Sequence, residues 1–146
     1  MNRTTQAIQY HDSGFNCAQS VLTAFAEDLG LSPALALRLA STFGGGMRMA
    51  ATCGALTGAL MALGLAHGFS RPDPPDKQRI ESLTRELTKR WRKEIGPTDC
   101  KDILGYDVSD PIQKEAAKKA GVFDAHCHVC IAKATDILCS MLAEFA

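Results

Sequence analysis

The sequence lacks an excess of charge of either sign. Its 146 residues contain 16 Lys and Arg against 16 Asp and Glu, so the formal net charge is zero. Proteins that bind nucleic acid electrostatically carry a basic face, and segments that bind anionic membranes carry basic clusters. The balance of charges therefore argues against nucleic acid and anionic lipid as partners.

The sequence also lacks a long apolar run. Its longest uncharged stretch, residues 49–66, is mostly Ala, Gly and Thr with scattered Leu, so we predict a buried helix and no membrane span. Residues 1–6 have no apolar core of the kind found in secretory signals, and we expect a cytoplasmic protein. Cytoplasmic thiols stay reduced, so six cysteines are more typical of metal binding or redox chemistry than of permanent disulfides.

No segment shows the alternation of apolar and polar residues that is typical of a half-buried strand. Apolar residues instead recur at helical spacing, as in Ile80, Leu83, Leu87 and Trp91. We predict an all-α fold over residues 1–146: a compact single-domain bundle of about six to eight helices. A proline-rich loop near residues 68–76 interrupts it. The predicted helices cover residues 4–11, 17–29, 33–43, 53–67, 76–95, a short segment after Thr98, 111–121 and 124–144.

Four of the six cysteines are predicted to lie in the first turn of a helix, one to three residues after a capping residue. They are Cys17 after Asn16, Cys53 after Thr52, Cys100 after Thr98 and Cys127 after Asp124. Unpaired N–H groups and the helix dipole favour negative charge there and lower the pKa of a thiol. Thiolate is both the nucleophile and the metal ligand. Four helix starts that each carry a cysteine would suit a shared site that binds a soft metal or exchanges disulfides.

The remaining cysteines are weaker candidates. Cys130 lies one helical turn after Cys127, and His128 stands between them; both are predicted as secondary metal ligands. Cys139 lies off the helix face that carries Cys127, and we interpret it as a packing residue. Cys130 is followed by isoleucine where a c-type haem motif would have histidine, which excludes covalent haem.

Two glycine motifs are interpreted as packing features. Gly44-Gly45-Gly46 lacks the lysine of a phosphate-binding loop and follows no predicted strand, so we assign no nucleotide motif. It instead permits a tight turn beside the helix that starts at Cys53. Gly54 and Gly58 form a small-residue face, which we interpret first as an intramolecular contact and alternatively as the seam of a homodimer.

Three segments carry a resemblance to a known family. They are Phe-Asn-Cys-Ala-Gln-Ser-Val at 15–21, Phe-Gly-Gly-Gly-Met at 43–47 and Cys-Gly-Ala-Leu-Thr-Gly at 53–58, continued by Cys-Lys-Asp-Ile-Leu-Gly at 100–105 and by Cys127, Ile131 and Ala134. Over nearly its whole length the chain resembles the C-GCAxxG-C-C family of redox-active proteins.

The resemblance implies four characteristic cysteines. These match Cys17, Cys53, Cys100 and Cys127, and they leave Cys130 as an extra together with Cys139. A similar domain in split-Soret-type cytochromes implies an iron–sulfur cluster. Because the haem motif is absent here, only the cluster carries over.

Three functions stay open from the sequence. In the first, the clustered thiolates bind an iron–sulfur cluster, or another metal such as zinc, for electron transfer or sensing with an unknown redox partner. In the second, pairs such as Cys17–Cys53 or Cys127–Cys130 cycle between thiol and disulfide without metal. In the third, the chain is a helical interaction module with inert buried cysteines. Four thiolates favour the first function, because a disulfide uses only two. No substrate pocket is evident, so we assign no enzymatic reaction.

Overall fold

The computed structural model describes residues 2–146 and contains eight α-helices over that range. They are α1 (Arg3–Asp12), α2 (Cys17–Ala26), α3 (Pro33–Leu39), α4 (Gly54–His67), α5 (Pro74–Glu94), α6 (Cys100–Leu104), α7 (Pro111–Ala120) and α8 (His128–Glu144). The only β-type pairing in residues 2–146 is an isolated antiparallel bridge between Thr52 and Asp99. The all-α prediction is confirmed.

Helices α2, α4 and α8 form the centre of the molecule, and α1 and α5 cover it. Large apolar side chains from these helices are fully buried, among them Phe25, Leu63, Trp91 and Leu138. The indole N–H of Trp91 donates to the carbonyl oxygen of Pro97 at 2.8 Å, so the ring is buried without an unpaired donor. The predicted apolar stripe of α5 thus faces the core.

The small-residue face of α4 packs against α2 of the same chain. A Cβ atom at Gly58 would lie 2.7 Å from the carbonyl oxygen of Ala18, which is closer than real Cβ contacts come. Both Gly54 and Gly58 are buried in this contact. The face is therefore an intramolecular contact, and it is not free to form the alternative homodimer seam. Within residues 2–146, no helix has the length and apolar character needed to cross a bilayer.

Several helix ends differ from the sequence prediction. The helix from Pro33 stops at Leu39, not near the triple glycine, and the residue before α4 is Cys53, so Thr52 does not cap it. Helix α5 starts at Pro74, which shortens the proline-rich loop to residues 68–73. Prolines fit the first helical turn because the N–H groups they lack would have no helical partner there.

The start of the last helix is also different. The chain is already helical in a wide turn, Phe123–Cys127, that leads directly into α8. Asp124 is therefore inside the helical segment and does not cap it. Cys127 lies about one turn from the point where the helical backbone begins, not in a first turn. Wide turns of this type are frequent at functional sites.

A capping box fixes the start of α2. The Asn16 side chain accepts a hydrogen bond from the N–H of Gln19, and the Gln19 side chain accepts one from the N–H of Asn16. The Asn16 amide also donates to the carbonyl oxygen of Ala40 at 3.2 Å. This residue therefore anchors α2, and with it Cys17, to the segment after α3.

Replacing Asn16 with alanine should lower the free energy of unfolding by about 1–2 kcal/mol, because it removes the cap and the bond to Ala40. Asn2 provides the matched control: its side chain accepts only from the N–H of Thr5 at the start of α1. N2A should cost about 0.5–1 kcal/mol. Urea unfolding of both variants measures the difference, and equal losses would contradict the anchoring role of Asn16.

Candidate cysteine site

Five cysteines line one cavity of about 340 Å³. They are Cys17, Cys53, Cys100, Cys127 and Cys130. The structure thus brings together the four cysteines that the sequence analysis grouped, and it adds Cys130. The sixth, Cys139, is exposed and does not line the cavity, so the interpretation of Cys139 as a packing residue is wrong. None of the six cysteines forms a disulfide.

Close contact between α2 and α4 places two of the thiols. Cys17 is the first residue of α2, and Cys53 directly precedes α4. Between them lies Gly54, where an added Cβ would be 3.2 Å from the Cβ of Cys17. The Cys-Gly sequence therefore lets the two helix starts approach, and any larger residue at position 54 would press on Cys17.

The isolated bridge positions the third thiol. The N–H of Cys53 donates to the carbonyl oxygen of Thr98 at 2.8 Å, and the N–H of Cys100 donates to that of Ala51 at 2.6 Å. Two backbone hydrogen bonds thus hold the segments before α4 and α6 side by side. As a result Cys53 and Cys100 open onto the same cavity although they are distant in sequence.

A left-handed turn forms part of the cavity wall. Gly45, Gly46, Met47 and Arg48 have φ angles between 59° and 63°. For residues other than glycine this conformation costs on the order of 1–3 kcal/mol, and such strain is concentrated at binding and active sites. A Cβ on Gly46 would lie 2.5 Å from the backbone nitrogen of Ala51, so glycine is required there. The triple glycine therefore makes the tight turn predicted from the sequence.

Cys17 and Cys127 form the first of two contacting thiol pairs. Their contact raises the pKa of Cys17 and lowers the pKa of Cys127 to about 5. His11 also contacts Cys127, lowers the pKa of this thiol further and has its own pKa raised in return. At neutral pH the pair therefore holds one thiolate, on Cys127, which faces both the Cys17 thiol and the His11 ring.

Cys53 and Cys130 form the second pair. Contact with Cys130 lowers the pKa of Cys53, and the backbone N–H groups of Ala55 and Leu56 at the start of α4 lower it as well. The pKa of Cys130 rises correspondingly. Cys100 is in neither pair, and burial raises its pKa to about 12.

The prediction that helix starts lower the pKa of all four thiols is therefore wrong for most of them. Only Cys53 owes part of its shift to a helix start. Cys17 also begins a helix, but contact with Cys127 and burial raise its pKa. Cys127 has the lowest pKa of the set because of its side-chain neighbours. The cysteines converge, yet contacts between helices set their charge states.

Residues 15–141 match the family described as "Putative redox-active protein (C_GCAxxG_C_C)". The chain belongs to this family. The matched range includes all five cysteines of the cavity, so membership and geometry select the same region of the molecule. No curated protein and no solved structure gives a significant match to the chain.

This C_GCAxxG_C_C member has a histidine at the site that sequence reasoning missed. His11 is distant in sequence from Cys127, and the packing of α1 on α8 brings the two side chains together. His128, predicted as a secondary ligand, does not line the cavity. Its Nε2 lies 2.7 Å from a carboxylate oxygen of Asp12, and its ring lies edge-on to the His11 ring at 5.2 Å.

The sequence contains a pattern that places Cys130 among the cysteines of the site. It shares helical spacing with Ala134 and Leu138, and all three lie on the buried face of α8. Cys139 falls off this face. The helical periodicity that separates Cys139 from the face of Cys127 also predicts that Cys130 is buried. The Cys130 side chain contacts Cys53.

The potential ligand atoms fall into separate sets. Those of His11, Cys17 and Cys127 lie within 4.8 Å of one another, as do those of His11, Asp12 and His128. In residues 2–146 no set of four His, Cys, Asp or Glu ligand atoms is this compact. The family member therefore surrounds its cavity with thiols without gathering four donors at one point.

Proposed function

We propose that this family member holds an iron–sulfur cluster in the cysteine cavity and uses it for electron transfer or sensing. The observation that supports this most strongly is the convergence of five thiols on one largely apolar cavity. Thiolates are the usual ligands of iron–sulfur clusters, and such a cluster supplies one-electron redox chemistry. The proposed ligands are Cys17, Cys53, Cys100 and Cys127, which are also the cysteines implied by the family pattern.

The spacing of the donors fits a cluster better than a single zinc ion. Zinc binds four donors at about 2.0–2.3 Å, so the four lie within about 4 Å of one another. Among residues 2–146, the one set with thiols whose ligand atoms lie within 4.8 Å of one another is His11, Cys17 and Cys127, which provides three donors and not four. Cluster ligands bind different iron atoms and are spread around the cluster. Donors in separate sets around a common cavity match this second arrangement.

The charge states of the thiols also fit. Cys127 and Cys53 have lowered pKa values, which provides two thiolates without any metal. Cys17 and Cys100 have raised pKa values and keep their protons until a metal displaces them. Cys130 contacts Cys53, and we assign it the role of holding that sulfur in place rather than that of a ligand.

Serine substitutions of the cysteines test the proposal. Protein purified without oxygen should be brown and contain iron and acid-labile sulfide. Serine at Cys17, Cys53, Cys100 or Cys127 should each abolish most of the iron. C139S is the matched control, because Cys139 is exposed and outside the cavity, and it should keep full iron content. Colourless, iron-free wild-type protein after anaerobic reconstitution would contradict the proposal.

A second candidate function, thiol–disulfide exchange, is favoured by the two contacting thiol pairs. The contacts join Cys17 to Cys127 and Cys53 to Cys130, which differ from the pairs suggested by sequence spacing. Each pair combines a thiol whose pKa is lowered with one whose pKa is raised, as an attacking thiolate and its partner would require.

Counting thiols after mild oxidation separates the two functions. Disulfide chemistry in both pairs would lower the number of free thiols from six to two in metal-free protein. C130S distinguishes them further: it should prevent one of the two disulfides, whereas a cluster held by the other four cysteines should keep its iron. If the cysteines were inert, neither iron nor a change in thiol count would be found.

A further inference from the structure

A second cavity adjoins the cysteine cavity. It has a volume of about 470 Å³ and shares four lining residues with the first, which are Asn16, Gly45, Lys114 and Phe123. The two cavities therefore lie side by side and share a wall, and together we call them the cation groove. The thiols line its first cavity and Arg48 lines its second. Pockets of several hundred cubic ångströms are the size that small molecules occupy.

Apart from the Cys127 thiolate at the cysteine end, the charged side chains along the cation groove are all basic. Lys114 lines both cavities, Lys118 lines the first and Arg48 lines the second, and no Asp or Glu lines either. None of the three cations forms an ion pair with a residue in the range 2–146. In a chain whose formal net charge is zero, this basic lining indicates an anionic ligand.

The wall of the second cavity is apolar. Val108, Pro111 and Phe123 line it, and Phe123 continues into the cysteine cavity. The Val108 side chain also lies against the left-handed turn, 3.5 Å from where a Cβ of Gly45 would be. Apolar walls with a few fixed cations are typical of sites that hold an organic anion by its body and its charged group.

We propose that the cation groove binds a small organic anion, with its apolar body against Phe123 and its carboxylate or phosphate group between Lys114 and Arg48. Its other end extends toward the thiols. The binding of this anion does not rest on the function proposed above, because the cations and the apolar wall are present without metal.

A matched pair of probes tests the groove: 2-naphthoate and its neutral analogue 2-naphthamide. Isothermal titration of the metal-free, reduced protein should show that 2-naphthoate binds about fivefold more tightly than the amide, which is the size of a partly exposed charge contact. The preference should shrink as salt concentration rises, because salt screens exposed charges. Equal affinities at low salt would overturn the proposal.

Charge reversal on α7 locates the site. K114E should remove the preference for 2-naphthoate or invert it. K119E is the control on the same helix, since Lys119 lines neither cavity, and K89E tests a separate basic cluster on α5. Both controls should keep the preference. An equal loss in all three variants would show that net charge alone is responsible and would overturn the assignment to the groove.

The two proposals can fail separately. Protein that contains iron but shows no preference for 2-naphthoate would overturn the groove and leave the cluster standing. Protein without iron that still binds 2-naphthoate in a Lys114-dependent manner would support the groove and contradict the cluster. Phosphate competition in the same titration identifies the charged group: displacement of 2-naphthoate at millimolar phosphate would support a phosphate-bearing ligand, and its absence would support a carboxylate.

Discussion

Iodoacetamide should alkylate Cys127 of the metal-free, reduced protein with a midpoint near pH 5, whereas an ordinary cysteine reacts with a midpoint near pH 9. The thiolate is the reactive form, and contact with Cys17 stabilises it most. The His11 ring stabilises it as well, and its own raised pKa shows that it carries positive charge more readily beside that thiolate. The rate should therefore be flat above pH 6 and fall below pH 5.

The size of the rate effect at pH 6 follows from two opposing factors. About nine-tenths of a thiol with a pKa of 5 is thiolate at that pH, against about one part in a thousand for an ordinary thiol. A thiolate of lower pKa is also a weaker nucleophile, by a factor of about 10² over this range. The net gain is about tenfold for an equally accessible sulfur. The position of the midpoint is therefore the more sensitive measurement.

Two substitutions should move this midpoint upward. C17A removes the contact that lowers the pKa most, and H11Q removes the second. Cys139 in the same protein is an internal control, because it is exposed and its pKa is raised. Peptide mapping by mass spectrometry resolves the two sites, and circular dichroism checks that the fold persists at each pH. A Cys127 midpoint above pH 8 in the wild-type protein would contradict the assigned charge state.

The helical architecture could be predicted from the sequence because its determinants are local. The apolar spacing of α5 and the Ser32-Pro33 start of α3 lie within a few residues of the structure they specify. The helix ends that were predicted incorrectly also have a local cause. The sequence predicts a loop at Pro74 because proline breaks helix interiors, yet the first turn of a helix accepts proline.

The composition of the candidate site was only partly predictable. Cys17, Cys53, Cys100 and Cys127 could be grouped from capping patterns and from the family resemblance. Which thiol faces which could not, because the contacts of Cys127 with Cys17 and His11 depend on how α1, α2 and α8 cross. Charge states follow from these contacts rather than from helix dipoles. The cation groove could not be predicted from the sequence for the same reason, because Arg48 and Lys114 line it from segments that are far apart in the chain.

The packing of α4 on α2 is what places Cys17 and Cys53 together, and one glycine permits it. Replacing Gly58 with alanine should lower the free energy of unfolding by about 1–3 kcal/mol, the usual cost of overfilling a packed contact. The added Cβ would lie 2.7 Å from the carbonyl oxygen of Ala18 and 3.1 Å from its Cα. Both are backbone atoms, so the contact can be relieved only if the two helices separate.

Gly64 is the matched control because it lies in the same helix with nothing within 4 Å of its added Cβ. G64A should raise the free energy of unfolding by about 1 kcal/mol, since alanine has the better helix propensity. The two substitutions add the same methyl group to one helix, yet their effects should have opposite signs. Urea denaturation measures both. If G58A were as stable as the wild-type protein, close contact of α2 with α4 would not be the feature that positions the two thiols.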